Sequence, residues 1–298
     1  HDPVVGITDL LIHLSADQLQ KTAAKVIEGE NLDLNVGSIP LDDDEKETVK
    51  RNILKLLHEK YDIEEEDFLS AEIEVVPTGK ARDFGIDRSM VMGYGHDDRV
   101  CAYTSLMAIL DIDTPEYTSC CILVDKEEIG SVGATGAQSL FFENTIAELL
   151  HLCGDDNYLS LKRAMTNSKM LSSDVSAGFD PLYKEVNDAK NAAYLGNGIC
   201  FNKYTGSRGK SGSNDANPEY MAELRKIMDE AQIHFQTAEL GKVDQGGGGT
   251  IAYILGNYNM NVIDAGIAVL NMHAPYEIVS KVDVYEGYLA YKVFLQKA

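Results

Sequence analysis

The chain has 298 residues, 44% of them hydrophobic, and a formal net charge of -22 from 48 acidic and 26 basic side chains. This length allows one large domain or two smaller ones with a sizeable core. The acidic balance argues against nucleic acid as a partner, because binding to phosphates needs clustered Lys and Arg, and against anionic membranes. Five cysteines without an even framework, no apolar run of bilayer length and no leader-like segment predict a cytoplasmic protein without disulfides.

The first part of the chain predicts a domain of its own. The segment from Asp2 to Leu14 begins as a strand, and Ser15 to Glu28 has caps and spacing suited to a helix. A clearer helix is expected from Asp43 to Tyr61, where apolar residues recur at helical period behind an acidic start. Alternation over 67–95 indicates strands and hairpins. We therefore expect a small α+β domain over residues 1–89 and a larger domain over 90–298.

The larger domain repeats a pattern of strand, acidic turn and helix, which is typical of an α/β sheet flanked by helices. Cys121 to Val124 has the composition of a central strand that is covered on both faces. A helix is expected from Arg99 to Asp111, with Tyr103, Leu106 and Leu110 among its buried residues. Further helices are expected at three places, Gln138–Cys153, from Pro218 and from about Ser280.

Acidic side chains and one histidine follow the ends of the predicted strands: Asp97, Glu127, Glu128, Asp174 and His273. Ligands of open α/β sheets bind beyond the carboxyl ends of the strands. Neighbouring glutamates on an extended segment point in opposite directions, so one can bind a metal while the other faces a water. Taken singly, these residues also fit a solvated turn, helix-terminus acids and a structural histidine. Together they offer the oxygen and imidazole ligands that two zinc ions can share, with one histidine missing.

Two glycine-rich loops leave alternatives open. The loop YTGSRGKSGSN carries Arg208 and Lys210, which suits a carboxylate or a phosphate, but it lacks the Walker pattern, so nucleotide binding is not expected. The loop DQGGGGTI permits close backbone approach to a ligand, or it is only a flexible connection.

Several long motifs, in the same order, resemble the aspartyl aminopeptidase and aminopeptidase I family of dinuclear zinc exopeptidases, in its bacterial form. The motifs are GHDDRV, VDKEEIGSVGATGAQS, SSDVSAGFDP, KYTGSRGKSGSNDAN and NMHAPYE, and the resemblance covers essentially the whole chain. It implies a zinc-exopeptidase-like fold and the following roles: Asp97 as the bridging ligand, Glu127 as the general base, Glu128 and His273 as ligands of one zinc, and Asp174 as a ligand of the other. Asp98 matches no ligand.

The resemblance also implies partners. Residues 2–89 resemble the family's dimerisation domain, and His13 matches the position from which that domain reaches a neighbouring subunit's active site. The implied assembly is a homo-oligomer of dimers, a dodecamer, and the implied substrates are peptides with a free N-terminus. Zinc is the implied metal, with cobalt or manganese as alternatives.

Two departures from the family pattern matter. The HxD motif that supplies the remaining zinc histidine has no counterpart, and His1, which is not in an HxD context, is not assigned to that role. We therefore expect the zinc-exopeptidase sheet to be incomplete at its N-terminal part, and the chain by itself to bind one metal or none, with weak activity or none. Ala177 and Asp180 stand where some members carry histidines, so the sequence leaves an acidic or an apolar substrate preference open. The alternatives are an inactive, oligomer-forming relative or a dinuclear deacylase on the same fold.

Overall fold

The computed structural model describes residues 3–206 and 212–298 and divides into two compact units, residues 1–78 and 79–298. This division lies before the domain boundary expected at 89/90, because the strand at 82–84 pairs with the strand at 90–93 and so belongs to the larger unit. Arg208 and Lys210 of the basic loop, and His1, lie outside the described residues.

Seven α-helices form in the described residues: α1 Thr48–Tyr61, α2 His96–Leu110, α3 Phe141–Leu152, α4 Tyr158–Asn167, α5 Pro218–Ala231, α6 Ala252–Gly256 and α7 Lys281–Lys297. Nine strands form in the same residues: β1 Arg82–Phe84, β2 Met90–Gly93, β3 Lys169–Ser172, β4 Ser176–Ala177, β5 Ile199–Asn202, β6 Phe235–Thr237, β7 Asn261–Gly266, β8 Ala268–Leu270 and β9 Glu277–Ser280. The helices expected at 43–61, 138–153, 218 and 280 are confirmed, and so is the mixed α/β class.

The smaller unit is built around α1. The predicted strand at 2–14 is wrong, since this segment forms only an isolated bridge from Gly6 to Asn35 and a short 3-10 helix. The predicted helix at 15–28 is also wrong, and two 3-10 turns stand in its place. Among residues 3–78 only Ser15 is buried, so no packed face stabilises these segments, and short helices without such packing are marginal in water.

The larger unit contains two mixed sheets. Five strands pair in the order β1-β2-β9-β8-β4, and four pair in the order β3-β7-β5-β6. The chain passes twice from the four-stranded to the five-stranded sheet, once between β3 and β4 and once at Ile267, between β7 and β8. Both passages run side by side, since the Ser176 N–H donates to the Ile267 carbonyl at 2.9 Å. The two sheets therefore meet at this point.

The main core lies between the four-stranded sheet and helices α5 and α7, where Phe201, Leu224, Ile263 and Tyr291 are buried. Helix α2 packs against α7, and its predicted buried face is wrong in large part. Tyr103, Leu106 and Leu110 are exposed, and the small residues Cys101, Thr104 and Ala108 are buried instead. Small side chains let two helix backbones approach closely, which large apolar side chains at the same places would prevent.

The apolar segment at 121–124 is not a strand, contrary to the prediction, and Leu123 and Val124 are exposed. In the described part of the chain no strand pairs with it, and the nearest ladder contact is an isolated bridge from Asp125 to Gly136. An apolar run becomes a strand only where a neighbour accepts its backbone hydrogen bonds. No helix in residues 3–206 or 212–298 is long and apolar enough to cross a bilayer.

Candidate metal centre

Asp97 and Asp98 stand at the start of α2, just after strand β2. Gly95, with a left-handed φ of 72°, makes the turn between β2 and α2. Both aspartates have non-helical backbone angles, and a cis peptide bond joins them. The Asp97 side chain is 9% exposed, and its backbone N–H donates to Oε2 of Glu277 at 2.8 Å. The first turn of α2 thus presents two carboxylates where strand β2 ends and strand β9 begins.

The two predicted glutamates lie on a closed loop. They begin the 3-10 helix Glu127–Ile129, which is bracketed by left-handed residues, Lys126 with a φ of 65° and Gly130 with a φ of 103°. The loop is hydrogen-bonded across its base and packed closely there. A Cβ atom on Gly136 would lie 2.3 Å from the carbonyl oxygen of Ser131, so this position requires glycine. The close packing fixes where the loop places both carboxylates.

Asp174 lies where the chain passes from β3 to β4 and so from one sheet to the other. Gly266, which ends β7, packs directly against it. A Cβ atom on Gly266 would lie 1.6 Å from the Asp174 carbonyl oxygen, so only glycine allows this approach. The meeting point of the two sheets therefore sets the position of Asp174.

His273 lies in the turn between β8 and β9 with a left-handed φ of 65°. Its backbone N–H donates to Oε1 of Glu277 at 2.7 Å. Its Nε2 atom is 3.0 Å from Oδ2 of Asp97 and 3.2 Å from Oε1 of Glu128. The side chains of His273 and Glu128 are 62% and 59% exposed, so this group opens to solvent.

These residues form two groups of three, and each group has ligand atoms within 4.8 Å of one another. We call Asp97, Glu128 and His273 the exposed trio, because Glu128 and His273 are exposed, and we call Asp97, Asp98 and Asp174 the buried trio, because all three of its members are half-buried. Asp97 belongs to both. The sequence had given the second position two carboxylates, and the structure adds Asp98, which the family resemblance had matched to no ligand. The doubled aspartate at a helix start was the signal that could have found it.

Burial and mutual repulsion make the three carboxylates of the buried trio hard to ionise. Burial and the neighbouring Glu128 charge raise the pKa of Asp97 to about 6. Burial raises the pKa of Asp98 to about 8, and burial and the Asp98 charge raise the pKa of Asp174. The buried Oδ1 atom of Asp98 has no hydrogen-bond partner. A bound cation would offset this crowding and give that oxygen a partner, so the residues fit a bound metal.

Three other residues lie outside both trios. Glu127 is half-buried, and burial followed by the Glu128 charge raises its pKa. His96 is half-buried, with a pKa lowered by burial and an Nε2 atom that lacks a partner, and its ring nitrogens belong to neither trio. His13 is exposed and lies in the 3-10 helix Ile12–Leu14 of the smaller unit.

A pocket of about 440 Å³ opens over the exposed trio. Besides the trio, its walls contain Tyr94, Gly95, Arg99, Ala274 and Glu277. The guanidinium of Arg99 lies 5.4 Å from the centre of the Tyr94 ring. The pocket brings a large open space to the metal ligands, which suits a substrate larger than water.

Comparison with known proteins gives the family. The model of the aminopeptidase I zinc metalloprotease (M18) family matches residues 1–295. The chain belongs to this family. Membership supports a metal cofactor, and the two trios are the groups in the described residues that can hold one.

Individual M18 relatives agree with this. A probable M18 family aminopeptidase 1 from Clostridium acetobutylicum is 64% identical over 296 residues, which cover 99% of this chain and 64% of that protein. The crystal structure of an M18 aminopeptidase from Thermotoga maritima matches with a TM-score of 0.96 at 47% identity, covering 100% of this chain and 66% of the other. A solved S. cerevisiae mApe1 dodecamer matches with a TM-score of 0.65 at 20% identity, covering 90% of this chain and 60% of the other, which shows a shared fold.

The chain thus spans 64 to 66% of the length of the bacterial M18 relatives. The expectation that the 298-residue chain has little or no activity by itself is not borne out by these comparisons.

Proposed function

We propose that the protein is a metal-dependent aminopeptidase that releases the N-terminal amino acid of a peptide at a two-metal site. The observation that carries this proposal is that Asp97 belongs to both trios. A carboxylate shared by two ligand sets is what a pair of neighbouring metal ions requires. Family membership supplies the reaction class, since the relatives are named as aminopeptidases.

The residues of each trio would hold one ion, with Asp97 between them. Zinc suits the exposed trio because it contains an imidazole, and cobalt or manganese are alternatives where carboxylates dominate. When bound, the metal pair supplies positive charge that polarises the peptide carbonyl and lowers the pKa of a water.

Glu127 is the proposed general base. It adjoins Glu128 on the same 3-10 helix, yet it belongs to neither trio, so its carboxylate is free to exchange a proton. Burial shifts the pKa of Glu127 upwards, in the direction of neutral pH. A group whose pKa lies near the working pH both accepts and returns protons well. In the proposed reaction Glu127 takes a proton from the attacking water and then gives it to the leaving amine.

The test compares Glu127→Gln with Glu128→Gln in the zinc-loaded full-length protein. For Glu127→Gln we expect unchanged zinc per chain and a fall in kcat on the order of 10²–10⁴-fold. For Glu128→Gln we expect zinc to be lost together with activity, because Glu128 belongs to the exposed trio. Zinc loss in Glu127→Gln, measured by mass spectrometry of the metal, would contradict the proton-transfer role.

The substrate class is tested on peptide pairs that differ only at the N-terminus. An aminopeptidase cleaves the free amine and leaves the N-acetylated peptide intact, and a deacylase does the reverse. A series of acidic and apolar N-terminal residues in the same assay determines the preference that the sequence left open.

We also propose that the smaller unit joins two copies of the chain and that dimers build a larger closed assembly, a dodecamer. Apolar side chains around His13 are exposed, including Leu11, Ile12 and Leu14, and Ser15 alone is buried in residues 3–78. A unit of this size without a core of its own needs a partner surface to bury its apolar side chains. In such a dimer His13 would reach the neighbouring subunit's site, as the family resemblance implies.

Light scattering of the full-length protein tests this assembly. We expect an oligomer at micromolar concentration, and a smaller species after Ile12→Asp with Leu14→Asp, since charge at an apolar interface opposes association. Leu152→Asp, at an exposed apolar position of α3, is the control. A monomeric wild-type protein would contradict the proposal.

All five cysteines are free, which supports a reducing, cytoplasmic location.

A further inference from the structure

Glu277 is a buried carboxylate that contacts two metal-site residues through their backbones. It is the first residue of β9, opposite Gly93 of β2, and it is 2% exposed. Its Oε2 atom accepts the N–H of Asp97 at 2.8 Å, and its Oε1 atom accepts the N–H of His273 at 2.7 Å. Asp97 and His273 are both members of the exposed trio, so one side chain spans the two segments that supply these ligands.

The two bonds hold backbone that is not part of a regular element. His273 has a left-handed φ of 65°, which residues other than glycine rarely adopt, and Asp97 has extended backbone angles, with a φ of -81° and a ψ of 105°, inside the first turn of α2. Hydrogen bonds to an ionised carboxylate are shorter and stronger than neutral ones. Because both bonds end on the same carboxylate, they fix the Asp97 and His273 backbones relative to each other.

We propose that Glu277 is a positioning residue, which sets the geometry of the exposed trio through two backbone N–H groups without binding the metal. Each of its oxygens accepts a backbone N–H, and it belongs to neither trio of the described residues. This inference rests on the proposed two-metal function. It adds that metal affinity at the exposed trio depends on a residue outside that trio.

Asp283 provides a matched comparison within the same chain. It too is buried, and it accepts two backbone N–H bonds, from Gly196 at 2.7 Å and from Gly198 at 2.8 Å. Neither donor belongs to a trio. Asp283 therefore has the same bonding pattern as Glu277 without contacting a proposed ligand, and a role in stability alone predicts the same behaviour for both residues.

The experiment measures the affinity for Co²⁺ and Zn²⁺ of the folded full-length protein as wild type, Glu277→Gln and Asp283→Asn, together with the melting temperature. A Gln side chain offers one acceptor oxygen and so keeps one of the two bonds. We expect Glu277→Gln to weaken binding of one metal ion by about 10–100-fold, the usual loss when a partner of a metal ligand is removed. Asp283→Asn should lower the melting temperature and retain wild-type affinity.

Equal metal affinity in wild type and Glu277→Gln would overturn the inference, and so would equal weakening in Glu277→Gln and Asp283→Asn. Should Glu277→Gln fail to fold, Glu277→Asp replaces it, because Asp keeps the charge but is too short to reach both N–H groups. Wild-type affinity in Glu277→Asp would overturn the inference as well. A wild-type protein that binds no metal would instead contradict the proposed function, and the inference would fall with it.

Discussion

The exposed trio and the buried trio share Asp97 and differ in almost everything else. The exposed trio opens into a pocket, includes the imidazole of His273, and has its backbones held by Glu277. The buried trio consists of carboxylates alone, and its Asp98 has an oxygen without a partner and a pKa raised to about 8. In the proposed two-metal site, ligand chemistry therefore sets the metal preference of the exposed trio, whereas the buried trio would need a cation to keep its crowded carboxylates ionised.

The largest effect is expected from the residue that both trios share. Asp97→Asn should lose both metal ions and reduce peptidase activity by several decades, because in the proposed reaction a shared ligand supports both positions and both ions take part. Metal per chain and kcat/KM of the full-length protein check this. Asp83→Asn, at an exposed carboxylate paired with Lys281, serves as the control and should retain both ions. An Asp97→Asn protein with two ions would show that the trios are independent sites.

A smaller effect is expected from residues that belong to one trio. His273→Ala should weaken the exposed position, and Asp174→Asn the buried one, each by more than the ~10–100-fold that loss of an outer partner produces. The two variants should also differ in metal selectivity. Without His273 the remaining ligands are oxygens, so manganese should compete better with zinc, and Asp174→Asn should leave the zinc-selective position intact.

Competition titrations of Zn²⁺ against Mn²⁺ measure this difference in the two variants. Identical selectivity in His273→Ala and Asp174→Asn would contradict the distinction between the trios.

The smallest effect concerns a charge that lies behind the buried trio. Asp264 is buried on β7, its Oδ1 atom has no partner, and its charge contributes to the raised pKa of Asp174. Burial raises the pKa of Asp264 from 3.8 to about 6. The folded state therefore holds this proton more tightly than the unfolded state, and stability falls as the pH rises from about 4 to about 6. Asp264→Asn removes this loss.

We expect the free energy of unfolding of Asp264→Asn, relative to wild type, to rise by up to about 3 kcal/mol between pH 4 and pH 7 and then to level off. Urea unfolding at several pH values measures it. Asp83→Asn is the control and should stay level over this range, because the Lys281 ammonium holds the pKa of Asp83 below its ordinary value of 3.8, so its titration is complete below pH 4. A difference between Asp264→Asn and wild type that does not change with pH would mean that the interior around the buried trio is more polar than its burial implies.

Local pattern was sufficient for several elements of the fold and insufficient for others. Helices α1, α3, α5 and α7 follow from helical periodicity and, in α5, from Pro218 at the first position, which are properties of neighbouring residues. The run at 121–124 has strand composition, but a strand depends on a partner far away in the chain, and composition carries no information about that partner. The buried face of α2 was missed for a similar reason, because close contact with α7 selects small residues such as Ala108 rather than large apolar ones.

The candidate site was predictable where a motif places chemistry at a strand end or a turn. Asp97, Glu128 and His273 come together as expected, and Asp174 joins Asp97 in the second group. Asp98 and Glu277 were missed because their importance depends on burial and on contacts through space. A buried glutamate at the start of a strand gives no sign in the sequence that its carboxylate accepts hydrogen bonds from two separate segments.

The bond from Asp97 to Glu277 joins residues that are 180 positions apart in the chain. A contact of that span closes a long loop, so it forms only after the intervening strands and helices have found their places. Neither trio lies within a short stretch of the described residues, so the trios offer a metal ion no local chelate to organise early in folding, unlike the closely spaced ligands of a zinc finger. In the proposed function, tight metal binding would accordingly be acquired late in refolding, once these distant segments have come together.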